Sequence, residues 1–175
     1  MVVYGVNAAL AIPTGLKAIQ VATGNGYCLA VKSDSTVVVW GTGAGSAVPA
    51  TLGKVKNVFA SHDLASAITV NGEMVSWGNM GLPSPQVAKP NDTTGVRMVA
   101  PGMFHTLFLR ANGALGGWGY NGASQAAIPA GAPTDGVAIA VGYRYSVVLR
   151  ANGLVYAWGE RNYNASVTPP AITSP

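Results

Sequence analysis

The chain has 175 residues, of which 49% are hydrophobic, 9% are charged and 23 are glycines. Charged residues make up about 25% of an average chain, so this composition excludes a charged disordered tail, a coiled coil and a Lys/Glu-rich helical bundle. Ten basic residues face six acidic ones and give a net charge of +4, but the basic residues are scattered. Nucleic-acid binding is therefore not expected, because no phosphate-tracking stripe is visible.

The N-terminal residues 1–12 lack the basic start and the apolar core of a conventional secretion signal. No apolar stretch approaches the roughly 20 residues of a membrane helix. We therefore expect neither a signal peptide nor membrane insertion. The single cysteine, Cys28, cannot form an internal disulfide and is expected to be a small buried residue of a strand.

An internal repeat organises the chain. Four tryptophans, each followed by glycine, are spaced 37, 41 and 40 residues apart, namely Trp40, Trp77, Trp118 and Trp158. A period near 40 residues is the length of a propeller blade or of a helical pair, and the hairpin signals within each repeat favour the blade. Five residues before each Trp lies a turn position, which is Asn-Gly in three of the four repeats. Asn-Gly between apolar runs predicts a hairpin, for which we expect a type I′ turn with both central residues at positive φ.

Each repeat is predicted to contain three firm strands and one weak outer one. The hairpin strands are Tyr27–Val31 with Thr36–Trp40, Ala65–Thr69 with Glu73–Trp77, Thr106–Leu109 with Ala114–Trp118, and Ser146–Leu149 with Leu154–Trp158. A short strand precedes each hairpin, at Ile19–Gly24, Val58–Ser61, Met98–Gly102 and Ala138–Gly142. A proline-marked extended segment follows each hairpin and suits an outer edge, where no backbone donor is needed.

The predicted fold class is all-β, a β-propeller-like arc of four blades. We expect a single repeat domain over residues 1–175, with a partial element at 1–15 and repeats at about 16–52, 53–90, 91–131 and 132–175. An open arc is favoured because Val2–Gly5 matches Val155–Gly159, and the two would compete for equivalent places in a closed four-blade ring. Since an arc exposes strand edges and apolar faces at both ends, we expect self-association to cover them.

The order of small-residue strand, hairpin, Trp-Gly, Asn/Gly loop and proline resembles the regulator of chromosome condensation repeat family of β-propellers. Within that family it looks most like the bacterial branch that includes the propeller-type β-lactamase inhibitor proteins. The resemblance covers about residues 18–170 and is closest at Val99–Gly113 and Val155–Asn162. It implies the fold and leaves the function open. The family's histidine at the start of the second strand remains only as His105, and family members usually close seven blades rather than four.

No catalytic, metal-binding or cofactor-binding residue is predicted, and we do not expect an enzyme. The six acidic residues occupy non-equivalent repeat positions, and no Gly-x-Ser-x-Gly elbow is present. The two histidines and one cysteine lack metal-ligand spacing. The run Gly41–Gly45 lacks the helix and the later acid of a dinucleotide site. His62 with Asp63 is interpreted as a solvated turn, and His105 as a hydrogen-bonded packing residue.

Aromatic and cationic residues that break the repeat are the candidate binding site. Met103-Phe104 and Tyr143-Arg144-Tyr145 occupy the same turn, between the first and second strands, in neighbouring repeats. Tyr120-Asn121 and Arg161 with Tyr163 lie in the loops after Trp-Gly, which we expect on a rim of the disc. Tyr, Arg and Met are enriched at interface hot spots, and recognition residues commonly lie on loops of a rigid scaffold. The predicted macromolecule-binding residues are Met103, Phe104, Tyr143, Arg144, Tyr145, Tyr120, Asn121, Arg161 and Tyr163.

These features predict a non-catalytic recognition or structural module that binds a protein partner or a surface receptor through its turn tips. The composition favours a component of a virion or extracellular assembly, such as a phage appendage, over a cytoplasmic protein. The alternative, which the family resemblance implies, is a proteinaceous enzyme inhibitor of the β-lactamase-inhibitor type. A nucleotide-exchange or chromatin-binding role is less favoured, because the basic surface it needs is not apparent.

Overall fold

A computed structural model describes residues 11–78 and 86–160, with residues 86 and 87 described by their backbone. These ranges contain thirteen strands in four antiparallel sheets, together with a short 3-10 helix at Ala44–Ser46. They divide into two compact units, one formed by residues 11–78 and 92–96 and the other by 86–91 and 97–160. No helix in the described part of the chain is long and apolar enough to cross a membrane.

The first unit contains two three-stranded sheets. One sheet has the order β1-β2-β3, with strands at Gln20–Thr23, Tyr27–Val31 and Val37–Gly41. The other has the order β4-β5-β6, with strands at Val55–Ser61, Leu64–Thr69 and Met74–Gly78. Each sheet is a meander in which every strand pairs with the next one in sequence, as the predicted strand-plus-hairpin pattern requires.

The second unit contains a four-stranded and a three-stranded sheet. The first has the order β7-β10-β9-β8, with strands at Gln86–Val87, Leu115–Tyr120, His105–Arg110 and Val96–Pro101. The last sheet has the order β11-β12-β13, at Gly136–Val141, Tyr145–Arg150 and Val155–Gly159. Strand β7 follows the second hairpin but pairs with β10 of the third sheet, so this proline-marked segment supplies the outer edge of the next sheet rather than of its own. The other three sheets have three strands each among the described residues, without the predicted weak outer strand. The predicted element at 1–15 lies largely outside the described residues.

The hairpin turns differ from the predicted type I′. At Asn112-Gly113 only the glycine has a positive φ, of 85°. The Gly113 N–H donates to the Arg110 carbonyl at 3.0 Å, and the Arg110 N–H donates to the Ala114 carbonyl at 2.9 Å. This is a type I turn closed by a left-handed glycine, the usual three-residue hairpin loop. The Asn112 Oδ1 accepts the Ala114 N–H at 3.1 Å, so asparagine stabilises the turn through its side chain rather than through a left-handed backbone.

The core lies along the middle strands of the sheets. In the first unit every residue of β2 and β5 is buried, whereas β3 is only half-buried. Strands covered on both faces are apolar almost throughout, which is why Tyr27–Val31 and Leu64–Thr69 show no polar alternation. Trp77 is 7% exposed and packs in the core cluster with Tyr27 and Leu29. The packing role that the fixed phase predicts thus holds for Trp77, as for the buried Trp118, whereas Trp40 and Trp158 are only half-buried.

The glycine after each tryptophan fixes the end of the hairpin. Gly159 has φ 117° and its Cα faces the Arg144 carbonyl so closely that a Cβ there would collide with it. The next residue, Glu160, then donates its N–H to the same Arg144 carbonyl at 2.9 Å. The Tyr120 N–H donates to the Phe104 carbonyl at 2.7 Å in the same way. In three of the four sheets the turn tip before the second strand is therefore joined by a backbone hydrogen bond to the loop that follows Trp-Gly, and in the remaining sheet the residue after Gly78 lies outside the described residues.

Candidate functional site

Three aromatic rings and one arginine meet at one end of the second unit. Phe104, at the tip between β8 and β9, lies 4.8 Å from the ring centre of Tyr143, with the planes at 83°. Its ring centre is 6.2 Å from that of Tyr120, at 65°. Edge-to-face contacts of this kind are the favourable geometry for aromatic pairs. We call Phe104, Tyr120, Tyr143 and Arg144 the aromatic cluster.

Arg144 is held between two of these rings. Its guanidinium carbon lies 5.8 Å from the ring centre of Tyr120 and 5.7 Å from that of Tyr143. An Arg within about 6 Å of an aromatic face is attracted by the ring quadrupole. Arg144 Nη1 also approaches Glu160 Oε1 at 3.5 Å. The turn tips that carry Phe104 and Arg144 therefore form one surface with the loop that contains Tyr120, which the sequence predicted on a separate rim.

The aromatic cluster is partly open to solvent. Tyr143 is 51% exposed and the adjoining Met103 is 40% exposed, whereas Phe104, Tyr120 and Arg144 are half-buried. Large aromatic side chains that remain this accessible leave apolar area available to a partner. Four of the predicted residues are thus brought together as the cluster, with Met103 beside them.

The other predicted residues have different surroundings. The half-buried ring of Tyr145 lies directly over Gly142, where a Cβ would collide with it. Asn121 uses its side-chain oxygen locally, accepting the N–H groups of Ala126 and Ala127 at 3.0 and 2.9 Å. Arg161 and Tyr163 lie outside the described residues. The binding role of each remains a prediction.

A cavity of about 750 Å³ opens beside β13 in the second unit. Tyr145, Tyr156, Trp158 and Glu160 line it together with the loop 123–129. The indole Nε1 of Trp158 is buried and has no acceptor among the described residues. In the first unit the corresponding Trp77 Nε1 donates to the Gly45 carbonyl at 2.8 Å, so the loop there closes on the tryptophan. Sequence reasoning missed this difference, since both loops follow Trp-Gly.

The corresponding tips of the first unit are small and polar. The Asn25 N–H donates to the His62 carbonyl at 2.8 Å, and His62 is exposed with φ 42°. These tips border a cavity of about 460 Å³ whose lining is Thr23, Gly24, Asn25, Ala60, Ser61 and His62. Tyr27, the aromatic residue next to them, is fully buried. The solvated turn predicted for His62 is confirmed.

A buried contact between His105 and Ser146 raises the question of nucleophilic catalysis. The His105 Nε2 lies 2.8 Å from Ser146 Oγ, and the Ser146 hydroxyl donates to the Gln125 carbonyl at 2.8 Å. A hydroxyl has one proton, so Nε2 must be the donor to Ser146. A general base needs the reverse arrangement, with Nε2 accepting that proton. The contact therefore does not activate Ser146 and instead joins β9, β12 and the loop that contains Gln125.

Burial lowers the pKa of His105 from its usual value of 6.5 to about 4. The cause is the loss of hydration of the charged imidazolium, since the side chain is fully buried. The hydrogen-bonded packing role predicted for His105 is confirmed. Its partners Ser146 and Gln125 were not foreseen, because neither carries a signal in the repeat pattern. Among the described residues no three His, Cys, Asp or Glu side chains are grouped to hold a metal ion.

The sheets built from strand, hairpin and Trp-Gly define a protein of the β-propeller class, and the comparisons identify the type of repeat. Residues 137–165 match the family model of the Regulator of chromosome condensation (RCC1) repeat. The structure is similar to yeast RCC1 (Prp20) in its crystal structure with Kap60, with a TM-score of 0.66 and 21% identity over 86% of this chain and 45% of that one. No curated protein sequence gives a significant match.

Two further similar structures come from different biological settings. The ectodomain of the Physcomitrella patens receptor kinase CR4 has a TM-score of 0.66 and 19% identity, over 86% of this chain and 44% of that one. The C-terminal domain of gp131 from bacteriophage phiKZ has a TM-score of 0.55 and 13% identity, over 88% and 55%. The chain thus spans about half the length of these structures.

The chain carries an RCC1 repeat and has the fold of RCC1-type β-propellers. The predicted family resemblance and the all-β propeller class are therefore confirmed. The closer resemblance to the bacterial inhibitor branch and the predicted repeat boundaries remain predictions.

Proposed function

We propose that this chain is a non-catalytic protein-binding module and that the aromatic cluster is its contact surface. The observation that carries the proposal is the convergence of two turn tips and one loop on a partly exposed group of three rings and an arginine. Tyr and Arg are the residue types that most often dominate binding energy at protein interfaces. The rigid sheets beneath them reduce the entropy lost on binding.

The similar structures support a protein partner. The yeast RCC1 (Prp20) structure contains bound Kap60, and the receptor kinase CR4 match is an ectodomain. The gp131 match comes from a bacteriophage, which supports the finer proposal that this chain is a component of a virion or an extracellular assembly. The tautomer of His105 supports a function without catalysis, because the one buried Ser–His contact described is arranged against proton abstraction.

The test is site-specific photo-crosslinking followed by affinity measurement. A benzophenone amino acid replaces Tyr143 in one variant and Leu154 in a control, because Leu154 is 59% exposed but lies in the hairpin turn between β12 and β13, at the opposite end of that sheet. The protein that crosslinks at position 143 and not at 154 is then purified. We expect Tyr143→Ala to weaken its binding by about 2 kcal/mol, roughly 30-fold, and Leu154→Ala to leave it unchanged. Equal binding of Tyr143→Ala and the unchanged protein would contradict the proposal.

We also propose self-association. The open arc predicted from the sequence would leave strand edges and apolar faces uncovered at both ends, and association of two copies would cover them. Light scattering on a size-exclusion column measures the solution mass directly. A dimer or a larger closed species is the expected result, whereas a mass of 17.7 kDa at micromolar concentration would contradict it.

Enzyme inhibition is a second candidate function, which the exposed rings of the aromatic cluster favour. Aromatic anchors on a rigid scaffold suit insertion beside an enzyme's active site. The assay mixes the purified chain with a class A β-lactamase and follows nitrocefin hydrolysis. Inhibition that Tyr143→Ala relieves would support this function, and unchanged hydrolysis at micromolar protein would exclude it for that enzyme.

A further inference from the structure

Arg144 has hydrogen-bonding capacity that the described residues do not use. A guanidinium carries five N–H donors in a planar fork. The Arg144 side chain makes one hydrogen bond among the described residues, to Glu160 at 3.5 Å, the long limit for such a contact. Its Nε is buried and has no acceptor there. Glu160 is therefore a weak partner that does not engage the fork.

Two other arginines of the second unit show what full engagement looks like. Arg150 binds both carboxylate oxygens of Asp135, through Nε at 2.9 Å and Nη2 at 3.2 Å. Arg97 Nη2 donates to the carbonyls of Gly136 and Val137 at 3.1 and 2.8 Å. Those two arginines stabilise the unit itself. Arg144 differs in having strong ring contacts but only one weak hydrogen bond.

The surroundings of Arg144 favour an external anion. Tyr120 and Tyr143 flank its guanidinium at 5.8 and 5.7 Å and so restrict its position. The side chain is 37% exposed, which leaves one edge accessible. The described second unit carries five basic residues and only two acidic ones, namely Lys89, Arg97, Arg110, Arg144 and Arg150 against Asp135 and Glu160. A partner carboxylate would meet little repulsion except from Glu160.

We infer that the partner places an Asp or Glu side chain on the guanidinium of Arg144, between Tyr120 and Tyr143. This inference rests on the proposed binding function of the aromatic cluster and specifies the partner as an acidic segment. The carboxylate accepts two N–H bonds from the fork, the geometry that arginine provides and lysine does not. It takes the place of Glu160 as the principal anion at Arg144.

Three substitutions give effects of different sign and size. Arg144→Gln removes a charge-assisted pair and weakens binding on the order of 10- to 100-fold. Arg144→Lys keeps the charge but loses the planar fork, so it weakens binding roughly tenfold. Glu160→Gln removes the competing carboxylate and strengthens binding roughly three- to tenfold. If no anion of the partner binds at Arg144, Glu160→Gln gives no gain in binding affinity.

The experiment selects binders from a displayed library of random twelve-residue peptides on the full chain. The selected peptides are synthesised and their affinities measured by fluorescence anisotropy against each variant. Lys89→Gln is the matched control, because it removes the same charge from an exposed residue outside the cluster. Thermal unfolding of every variant shows whether it is folded, and Arg144→Lys is the fallback if Arg144→Gln is not.

The expected result is enrichment of Asp or Glu, with affinity lost in Arg144→Gln, raised in Glu160→Gln and unchanged in Lys89→Gln. Peptides that depend on Tyr143 but lack an acid, or that bind Arg144→Gln normally, would overturn the acidic partner and leave the proposed function standing. Peptides that bind Tyr143→Ala as well as the unchanged chain, or no enrichment at all, would overturn both.

Discussion

The two units use the same backbone device for very different tips. In the first unit the Thr42 N–H donates to the Gly26 carbonyl at 2.8 Å, and in the second the Glu160 N–H donates to the Arg144 carbonyl at 2.9 Å. The first tip carries Asn25 and glycine, whereas the second carries Tyr143 and Arg144. The comparison teaches that the repeat determines where a tip lies and leaves its side chains open to variation.

The link between neighbouring sheets also differs between the units. In the first, the buried Tyr27 hydroxyl donates to the Leu64 carbonyl at 2.6 Å. In the second, His105 takes the corresponding place and binds Ser146. Burial, with a smaller contribution from Asp63, raises the pKa of Tyr27 to about 12, whereas burial lowers that of His105 to about 4. Only the second link therefore titrates in mildly acidic solution.

Acid should thus destabilise the second unit first. Between pH 6.5 and 4 the unfolded chain binds a proton on His105 while the folded chain does not, so stability falls as pH falls through this window. The full shift corresponds to roughly 3 kcal/mol. Hydrogen exchange at pH 7 and pH 4.5, read strand by strand, should show the loss in β9 and β12 before β2 and β5. His105→Gln should remove most of that difference, and an equal loss in both units would refute the assignment.

Substituting the Trp-Gly glycines separates folding from binding. Gly41→Ala and Gly159→Ala each place a Cβ against a tip carbonyl at positive φ, and each should cost about 2–3 kcal/mol in the free energy of unfolding. Gly153→Ala, at φ 82° in open space, should cost only about 1 kcal/mol. Chemical denaturation measures all three. Gly159→Ala should also weaken partner binding, because it moves Arg144, and Gly41→Ala should not.

The smallest expected effect compares the two tryptophan indoles. Trp77→Phe removes a buried hydrogen bond to the Gly45 carbonyl, whereas Trp158→Phe removes a donor that has no acceptor among the described residues. Both changes delete the same ring atoms, but Trp77 is buried and Trp158 is half-buried, so their difference, about 1 kcal/mol with Trp77→Phe the worse, combines the hydrogen bond with the packing lost at Trp77. Urea unfolding curves of the two variants suffice. Equal destabilisation would mean that the Trp158 indole also has a partner in solution.

The sequence predicted the fold well because its signals are local and repeated. Asn-Gly turns, Trp-Gly ends and apolar middle strands located the hairpins to within a residue or two, as with Tyr27–Val31. The predicted turn type was wrong. Asparagine before glycine suits a type I′ turn, in which the asparagine backbone is left-handed, and also a type I turn, in which its side chain accepts a backbone N–H. The two turn types therefore share one sequence pattern. Phe104, Tyr143 and Arg144 could be selected as candidates because they break the repeat in the same turn; the structure brings them into contact, and their binding role remains a prediction.

Other parts of the site have no local signal. The contact of Tyr120 with the tips depends on the backbone bond to Phe104, and the sequence reading had placed it on a separate rim. The Ser146–Gln125 contact joins residues 21 positions apart, with no periodic pattern behind it. The cavity beside Trp158 borders the loop that Asn121 holds through its side-chain oxygen, and the first unit has Gly43 at the same place. These contacts are set by tertiary packing.

The backbone bond that joins three of the tips to the loop after Trp-Gly has a consequence for how such proteins change. Because the bond uses only a main-chain carbonyl and N–H, it persists whatever side chains the tip carries. Residues such as Asn25, Phe104 and Arg144 can then be exchanged between tips without redesign of the sheets below. New specificities become accessible through a few substitutions, and a tip grafted from the second unit onto the first should be presented in the same orientation.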